Sequence, residues 1–318
     1  MRVDPAIAAL RHDRTPLLQA QAAMFAAREA WRGRPRVAPV LAEVEQFGRG
    51  IGLSACPALA ALFVGGVEAA GFADDFCAVF TGALTRESSG QLPFRHAFDG
   101  VVSTLLLARA GTARLTLVAQ EPGEYATTSA LFSEAERHDA VIAGAAVARL
   151  TTHGPNGAYQ HERVRLSAPS RLTLDLQRQT LFVEAVERPL VTLRLHRTAP
   201  LPGPVREHSL ADGALLQLSA GEMRQSRHEM MLAVLGRMRR RAAAPVMAEL
   251  ACEDGPDTLR WEALRQALAL DTAGGFAALS RIACSATDPL APPAAALRAQ
   301  LVEVHPELLQ FEEAQCRG

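Results

Sequence analysis

The sequence predicts an α+β multidomain protein in three parts: N-terminal helices (residues 1–88), a central antiparallel β-sandwich or barrel (89–222) and C-terminal helical repeats (223–318). Three observations predict this order. Apolar residues follow a helical period at both ends of the chain, they alternate with polar residues in the middle, and the last part repeats itself every 32 or 33 residues. A chain of 318 residues is long enough for more than one hydrophobic core.

The N-terminal region is predicted to form four helices because its apolar residues recur every three or four positions. Thr15 is a typical helix cap, and Pro16 fits the first turn, where its missing N–H leaves no hydrogen bond unmade. We expect this helix to stop at Gly33. The other helices are predicted at 37–48, 57–63 and 73–84, and the sequence Glu-Ser-Ser-Gly at 87–90 marks the end of the region.

The central region has the period of β-strands. Residues 171–177 (Arg-Leu-Thr-Leu-Asp-Leu-Gln) alternate without error, as a half-buried strand does, and residues 190–195 follow the same pattern. Short strands separated by Gly and Pro turns are typical of an antiparallel sandwich or small barrel. Residues 125–139 are expected to be helical and to cross one end of it. Further strands are predicted at 101–109, 113–120, 140–151, 159–167 and 181–186.

The C-terminal region repeats a unit of two helical segments. Arg-His-Glu at 227–229 recurs as Arg-Trp-Glu at 260–262, and the same offset of 33 relates Leu235 to Leu268 and then to Leu301. Three such units predict an α-solenoid. The region resembles short HEAT-like repeats, most clearly in Asp-Thr-Leu-Arg-Trp-Glu-Ala-Leu at 257–264.

The resemblance implies a binding role, because solenoids expose extended surfaces to protein or peptide partners. The preferred hypothesis is therefore a cytoplasmic accessory or scaffold protein without a cofactor. Its partner-binding face is predicted to include His228, Arg260 and Trp261, which lie at or beside equivalent positions of successive repeats.

Composition excludes several classes of function. All 33 basic residues are arginine, so chemistry that needs a lysine, such as a Schiff base or a Walker lysine, is excluded. A net charge of −1 and an aromatic content of 5% argue against a nucleic-acid or membrane partner. The first residues, Met-Arg-Val-Asp-Pro, lack the pattern of a signal peptide, which is why a cytoplasmic location is expected.

An alternative hypothesis starts from the histidines of the β region. His96 and Asp99 lie at its start, and His161 lies on a later strand, so the three could form a metal-binding triad. The region is similar to a cupin-like domain in its short strands, although neither His-x-His nor His-x-Asp is present. The resemblance implies a cupin-type non-haem oxygenase with iron on this triad, acting on a peptide or small molecule. Alternatively, His161 (beside Arg163 and Arg165) and His196 (beside Arg194) face solvent.

The predicted strands also carry many arginines. If the sheet closes around them, they could bind a carboxylate-rich ligand through bidentate contacts; if they face water, they form a solvated surface. The sequence leaves both readings open. The residues concerned are Arg109, Arg114, Arg163, Arg165, Arg171 and Arg194.

Overall fold

The computed structural model describes residues 13–65, 68–154 and 158–313. The chain divides into two compact units, Met1–Leu218 and Ser219–Gly318. The first unit joins helices to an antiparallel β domain, and the second is built of helices. In the described part of the chain, no helix combines the length and apolar character needed to span a bilayer.

The four predicted N-terminal helices are confirmed. Pro16 lies in the first turn of the first helix, which ends just before Gly33. The fourth begins five residues earlier than its apolar pattern suggests, at Glu68. The helices are α1 (Thr15–Arg32), α2 (Ala38–Gly48), α3 (Pro57–Phe63) and α4 (Glu68–Arg86), with a 3-10 turn at Leu53–Ala55.

In the described part of the β domain the strands form two antiparallel sheets. In the larger one the strand order is β1-β2-β3-β9-β6-β7, with β4 also pairing with β9 and β8 with β6; in the smaller one it is β11-β10-β5. The strands are β1 (Arg95–Phe98), β2 (Val102–Ala110), β3 (Ala113–Gln120), β4 (Gly123–Glu124), β5 (Ser129–Phe132), β6 (Ala135–His153), β7 (Tyr159–Ser167), β8 (Arg171–Asp175), β9 (Gln179–Thr198), β10 (Val205–Ser209) and β11 (Leu215–Ser219).

The helix predicted at 125–139 was wrong. This interval contains β5 and the start of β6, and its backbone hydrogen bonds go to β8, β9 and β10. The strands predicted at 181–186 and 190–195 are halves of one strand, β9. Both errors have the same origin: pairing between long strands overrides local pattern, and here it carries β9 through Pro189.

Strand β6 bends at β-bulges where it passes Pro189 of β9. Gly144 has φ +91°, and a Cβ there would come within 2.1 Å of the Pro189 carbonyl oxygen. The β6–β9 register shifts repeatedly between Val141 and Ala148, as expected for β-bulges. The bend lets each long strand serve two halves of the sheet: β3 and β8 flank one half, and β4 and β7 flank the other.

The helices α1–α4 cover one face of the larger sheet, which we call the outer face. Leu115, Leu193 and Leu195 on this face share one hydrophobic core with Trp31 and Phe47 of the helices. The predicted regions 1–88 and 89–222 therefore belong, up to Leu218, to one compact unit, because the apolar side of the strands needs this cover.

The second unit has its own core, with Leu264, Phe276 and Leu279 fully buried. The equivalent leucines Leu235, Leu268 and Leu301 all pack at its edge. The structure shows helices but not a HEAT-like solenoid. The helices are α5 (Met223–Arg237), α6 (Ala244–Cys252), α7 (Asp257–Leu270), α8 (Thr272–Ala283), α9 (Ala291–Val304) and α10 (Gln310–Glu313), with 3-10 turns at Arg241–Ala243 and Pro306–Leu309.

Candidate anion-binding site

The face of the larger sheet opposite the helices, which we call the inner face, carries two adjacent rows of basic residues. Directly opposed residues of paired strands lie about 4.5–5.5 Å apart at Cβ, so each row is a chain of neighbours. The first row runs across β2, β3, β9 and β6 as Arg109, Arg114, His196 and Arg137. The second runs across β1, β2, β3, β9 and β6 as Arg95, Leu106, Thr116, Arg194 and Asp139.

Asp139 is the single carboxylate in these rows, and two arginines hold it. Arg137 donates from Nε to Oδ2 at 2.9 Å and makes a second contact through Nη2. Arg194 donates from Nε to Oδ1 at 2.9 Å. Burial alone would raise the pKa of Asp139, but Arg194 and Arg137 outweigh it and lower the pKa to about 2. Asp139 is therefore ionised at neutral pH.

The other arginines of the two rows have no carboxylate partner among the described residues. Arg114 lies beside Arg109 and Arg95, and burial together with these two neighbours lowers the pKa of its guanidinium. Like charges directly opposite each other destabilise a sheet. Five arginines against one carboxylate therefore leave an uncompensated positive charge. We call Arg95, Arg109, Arg114, Arg137, Arg194, His196 and Asp139 the basic face.

His196 lies between Arg114 and Arg137 in the first row. Burial, followed by the charges of Arg114, Arg137 and Arg194, lowers its pKa to about 4, and Asp139 opposes the shift only in part. The imidazole is thus neutral at pH 7. A neutral ring can donate one hydrogen bond to an anion without adding a further charge to the face.

We expect this histidine to make the fold sensitive to acid. In the unfolded chain His196 has the ordinary histidine pKa of 6.5, and in the folded chain its pKa is about 4, so the free energy of unfolding should fall as pH drops through that range. The loss is about 2–3 kcal/mol. His196→Gln should flatten the pH dependence in urea titrations at pH 7, 5.5 and 4.5. His138, with its pKa also lowered by burial, accounts for a residual slope.

His305→Gln is the matched control, because the ring of His305 is 55% exposed. A slope that His196→Gln leaves unchanged would contradict the placement of His196 among the arginines.

Beyond the rows, the inner face becomes apolar. Arg137, Asp139 and Arg194 line one side of a cavity of about 30 Å³, and residues of β3 and β6–β9 line the other. A space of this size holds about one water molecule. A larger ligand must therefore bind at the open end, where Arg95 and Arg109 are exposed and Arg114 is half-buried. The apolar residues of the lining are Val118, Val141, Leu166, Leu172, Leu181, Val183 and Leu190.

The predicted metal triad is not assembled. His96 and Asp99 lie in and just after the edge strand β1, whereas His161 lies on β7, at the other end of the strand order. The Asp99 carboxylate accepts the backbone N–H groups of Val102 and Val101, which lower its pKa. The His161 ring contacts Thr151 Oγ1 at 3.0 Å.

The residues of the basic face do not fit a metal ion either. Both oxygens of Asp139 are engaged by arginines, and His196 is flanked by further positive charge. A divalent cation binds where carboxylates and imidazoles gather and is repelled by guanidinium groups. Among the described residues, no group of three or more His, Cys, Asp or Glu side chains is placed to hold a metal ion.

The structure separates the arginines that the sequence left undecided. Arg163 and Arg165 lie on the outer face, pair with Glu184 and Glu187, and are 80% and 64% exposed. His161 lies on the same exposed face of β7, in agreement with the alternative that it faces solvent. Arg194 belongs instead to the inner face. His196 and Arg194, for which one reading expected a solvent-facing position, are instead half-buried, and Arg194 pairs with Asp139 of the neighbouring central strand.

Arg260 is not part of an exposed binding face. Its guanidinium is buried, donates from Nε to the Ala251 carbonyl oxygen and pairs with Asp288. Its assignment as a partner-binding residue was therefore wrong: α7 turns this side chain towards the loop before α9. Trp261 packs at the edge of the helical core and His228 is half-buried.

Sequence reasoning missed Arg137 and Asp139. The signal was present, since residues 135–141 (Ala-Glu-Arg-His-Asp-Ala-Val) place Arg137, Asp139 and Val141 at period two. Assigning the interval to a helix concealed this alternation.

No protein-family model matches the sequence, and no curated protein matches it. Among solved structures the chain is similar to the capsular polysaccharide assembling protein CapF from Staphylococcus aureus, at 14% identity over 41% of this chain and 35% of that one, TM-score 0.29. Tomato vicilin (15% identity, 36% and 34%, TM-score 0.28) and oxalate decarboxylase from B. subtilis (13%, 33% and 28%, TM-score 0.26) are further similar structures. These are cupin-fold proteins, and the chain spans about a third of each. At such TM-scores the similarity carries no argument about ligand or activity.

Proposed function

We propose that the β domain is a cupin-like domain whose basic face binds a small polycarboxylate. The observation that supports this proposal is the row Arg109, Arg114, His196 and Arg137, in which neighbouring strands bring basic residues together and only Arg137 has an acidic partner, Asp139, among the described residues. Uncompensated like charges lower stability, and ionisable groups perturbed by such neighbours cluster at functional sites.

The Asp139 carboxylate is an example, within the chain itself, of the group that this face recognises. Arg137 and Arg194 approach it from two directions and engage both of its oxygens. Planar guanidinium groups match carboxylates through such paired hydrogen bonds. Arg114, Arg109 and Arg95 supply three further guanidinium groups for a ligand at the open end, and His196 adds a neutral donor.

The test compares wild-type protein with Arg114→Gln in the presence of citrate. Without ligand, Arg114→Gln should unfold at the same temperature as wild type or a few degrees higher, because it removes one charge from the row. Citrate at 100 times its Kd stabilises a folded protein by about 2.7 kcal/mol. We expect this stabilisation to appear as a higher unfolding temperature of the wild type in citrate. In Arg114→Gln the rise in unfolding temperature should be at least threefold smaller.

Arg165→Gln is the matched control, since it removes one arginine from the outer face. It should keep the citrate response in full at constant ionic strength. Equal citrate shifts in wild type and Arg114→Gln would overturn the proposal. So would a marked loss of stability in Arg114→Gln without ligand, which would make Arg114 a structural residue.

The cupin-type oxygenase remains the alternative for the β domain, but not with His96, Asp99 and His161 as its ligands. A protein or peptide partner of the helical unit also stays a prediction. It now depends on His228 and Trp261, because Arg260 is occupied within the unit.

A further inference from the structure

A second cluster of arginines lines a cleft between the helices and the edge of the sheet. The cleft has a volume of about 250 Å³. Arg28 and Arg32 of α1 line it from one side, and Arg95 and Arg109 from the strands β1 and β2. Leu41, Val44, Glu45, Pro93, Phe94, Leu106, Leu107, Ala108 and Ala110 complete it.

The charges of this cleft are poorly compensated. Arg28 pairs with the exposed Glu29, whereas Arg32, Arg95 and Arg109 have no carboxylate partner among the described residues. Glu45 is the single acidic residue of the lining, and Arg49 lies 3.7 Å from it. Arg28 and Arg32 are four residues apart, so the helix itself sets two like charges side by side, an arrangement that weakens a helix.

We infer that this cleft binds the phosphate group of a small organic phosphate. Arginines of α1 line it together with arginines of the strands β1 and β2, and a phosphate presents three acceptor oxygens with a charge near −2. A carboxylate has two oxygens and one charge, so it would leave some of these arginines without a hydrogen-bond partner. Leu41 and Val44 of α2 give the cleft an apolar wall for the organic part of the ligand.

The cleft shares Arg95 and Arg109 with the basic face, so the experiment uses Arg28 and Arg32, which belong to the cleft alone. Inorganic phosphate is titrated into the full chain at constant ionic strength and pH 7.5, with binding measured by calorimetry. We expect one site in the wild type. The double variant Arg28→Gln/Arg32→Gln should bind phosphate at least tenfold more weakly and keep the citrate-induced thermal shift.

The double variant Arg163→Gln/Arg165→Gln removes the same two charges from the outer face and should bind phosphate as the wild type does. An equal loss in both double variants would reduce the effect to net charge and overturn the inference. Phosphate binding that survives in Arg28→Gln/Arg32→Gln but disappears in Arg114→Gln would place phosphate on the basic face and overturn it too. Absence of phosphate binding in wild type beside an intact citrate response would reject the cleft and leave the proposed function standing.

Discussion

Replacing Asp139 with alanine is expected to lower the free energy of unfolding by about 3–5 kcal/mol, as removal of one partner of a buried ion pair does. Asp139 is 3% exposed and Arg137 is 13% exposed, so the change leaves a guanidinium group buried without a counter-charge. Arg194, at 30% exposure, would lose the same partner. Urea unfolding at pH 7 measures the effect.

Asp75→Ala is the matched control. It removes a carboxylate that pairs with Arg34 and Arg36, whose side chains are 40% and 57% exposed and keep much of their hydration without it. We expect a loss of about 1 kcal/mol or less there. A similar loss in both variants would contradict the view that Asp139 neutralises a buried charge.

The variant Asp139→Ala also tests whether the basic face binds a free carboxylate. Acetate should stabilise Asp139→Ala more than wild type, because it can occupy the space between Arg137 and Arg194 that the missing carboxylate leaves. Equal stabilisation of both proteins by acetate, at matched ionic strength, would show that the two arginines do not bind a free carboxylate.

Gly144→Ala is expected to be the other severe substitution, with a loss of about 3 kcal/mol or more through backbone strain and displacement of β9. A Cβ at this position meets the Pro189 carbonyl oxygen at 2.1 Å and the Leu190 Cα at 2.7 Å. These are backbone atoms, so they cannot turn away as a flexible side chain does. The soluble yield and the urea midpoint should both fall.

Substitutions at two other glycines separate the cost of a positive φ from the cost of steric overlap. Gly50 has φ +102° but nothing within 4 Å of a new Cβ, so Gly50→Ala carries the conformational cost alone, about 1 kcal/mol. Gly255 has neither a positive φ nor a close neighbour, and Gly255→Ala should leave stability nearly unchanged. If Gly144→Ala lowers the free energy of unfolding no more than Gly50→Ala does, the result would contradict the close contact between β6 and β9.

The sequence alone determined the elements whose period is visible locally. The strand predictions at 113–120 and 159–167 coincide with β3 and β7, because alternation along one strand needs no information about its partner. The first helix follows from Pro16 and Gly33 for the same reason, although Thr15, predicted as its cap, is the first residue of the helix and makes no capping hydrogen bond. Composition also determined that lysine takes no part in any anion recognition here, since the chain contains none.

The tertiary structure alone decided which side of each strand is enclosed. His161 and His196 both alternate with arginines, yet one lies on an exposed strand face and the other between charged neighbours on the inner face. The difference arises from register: Arg114 and Arg137 meet at His196 from strands that are distant in sequence. Arg260 is a second example, in a helix. The local pattern predicts a surface residue, but Asp288 of a neighbouring loop pairs with Arg260, which is buried.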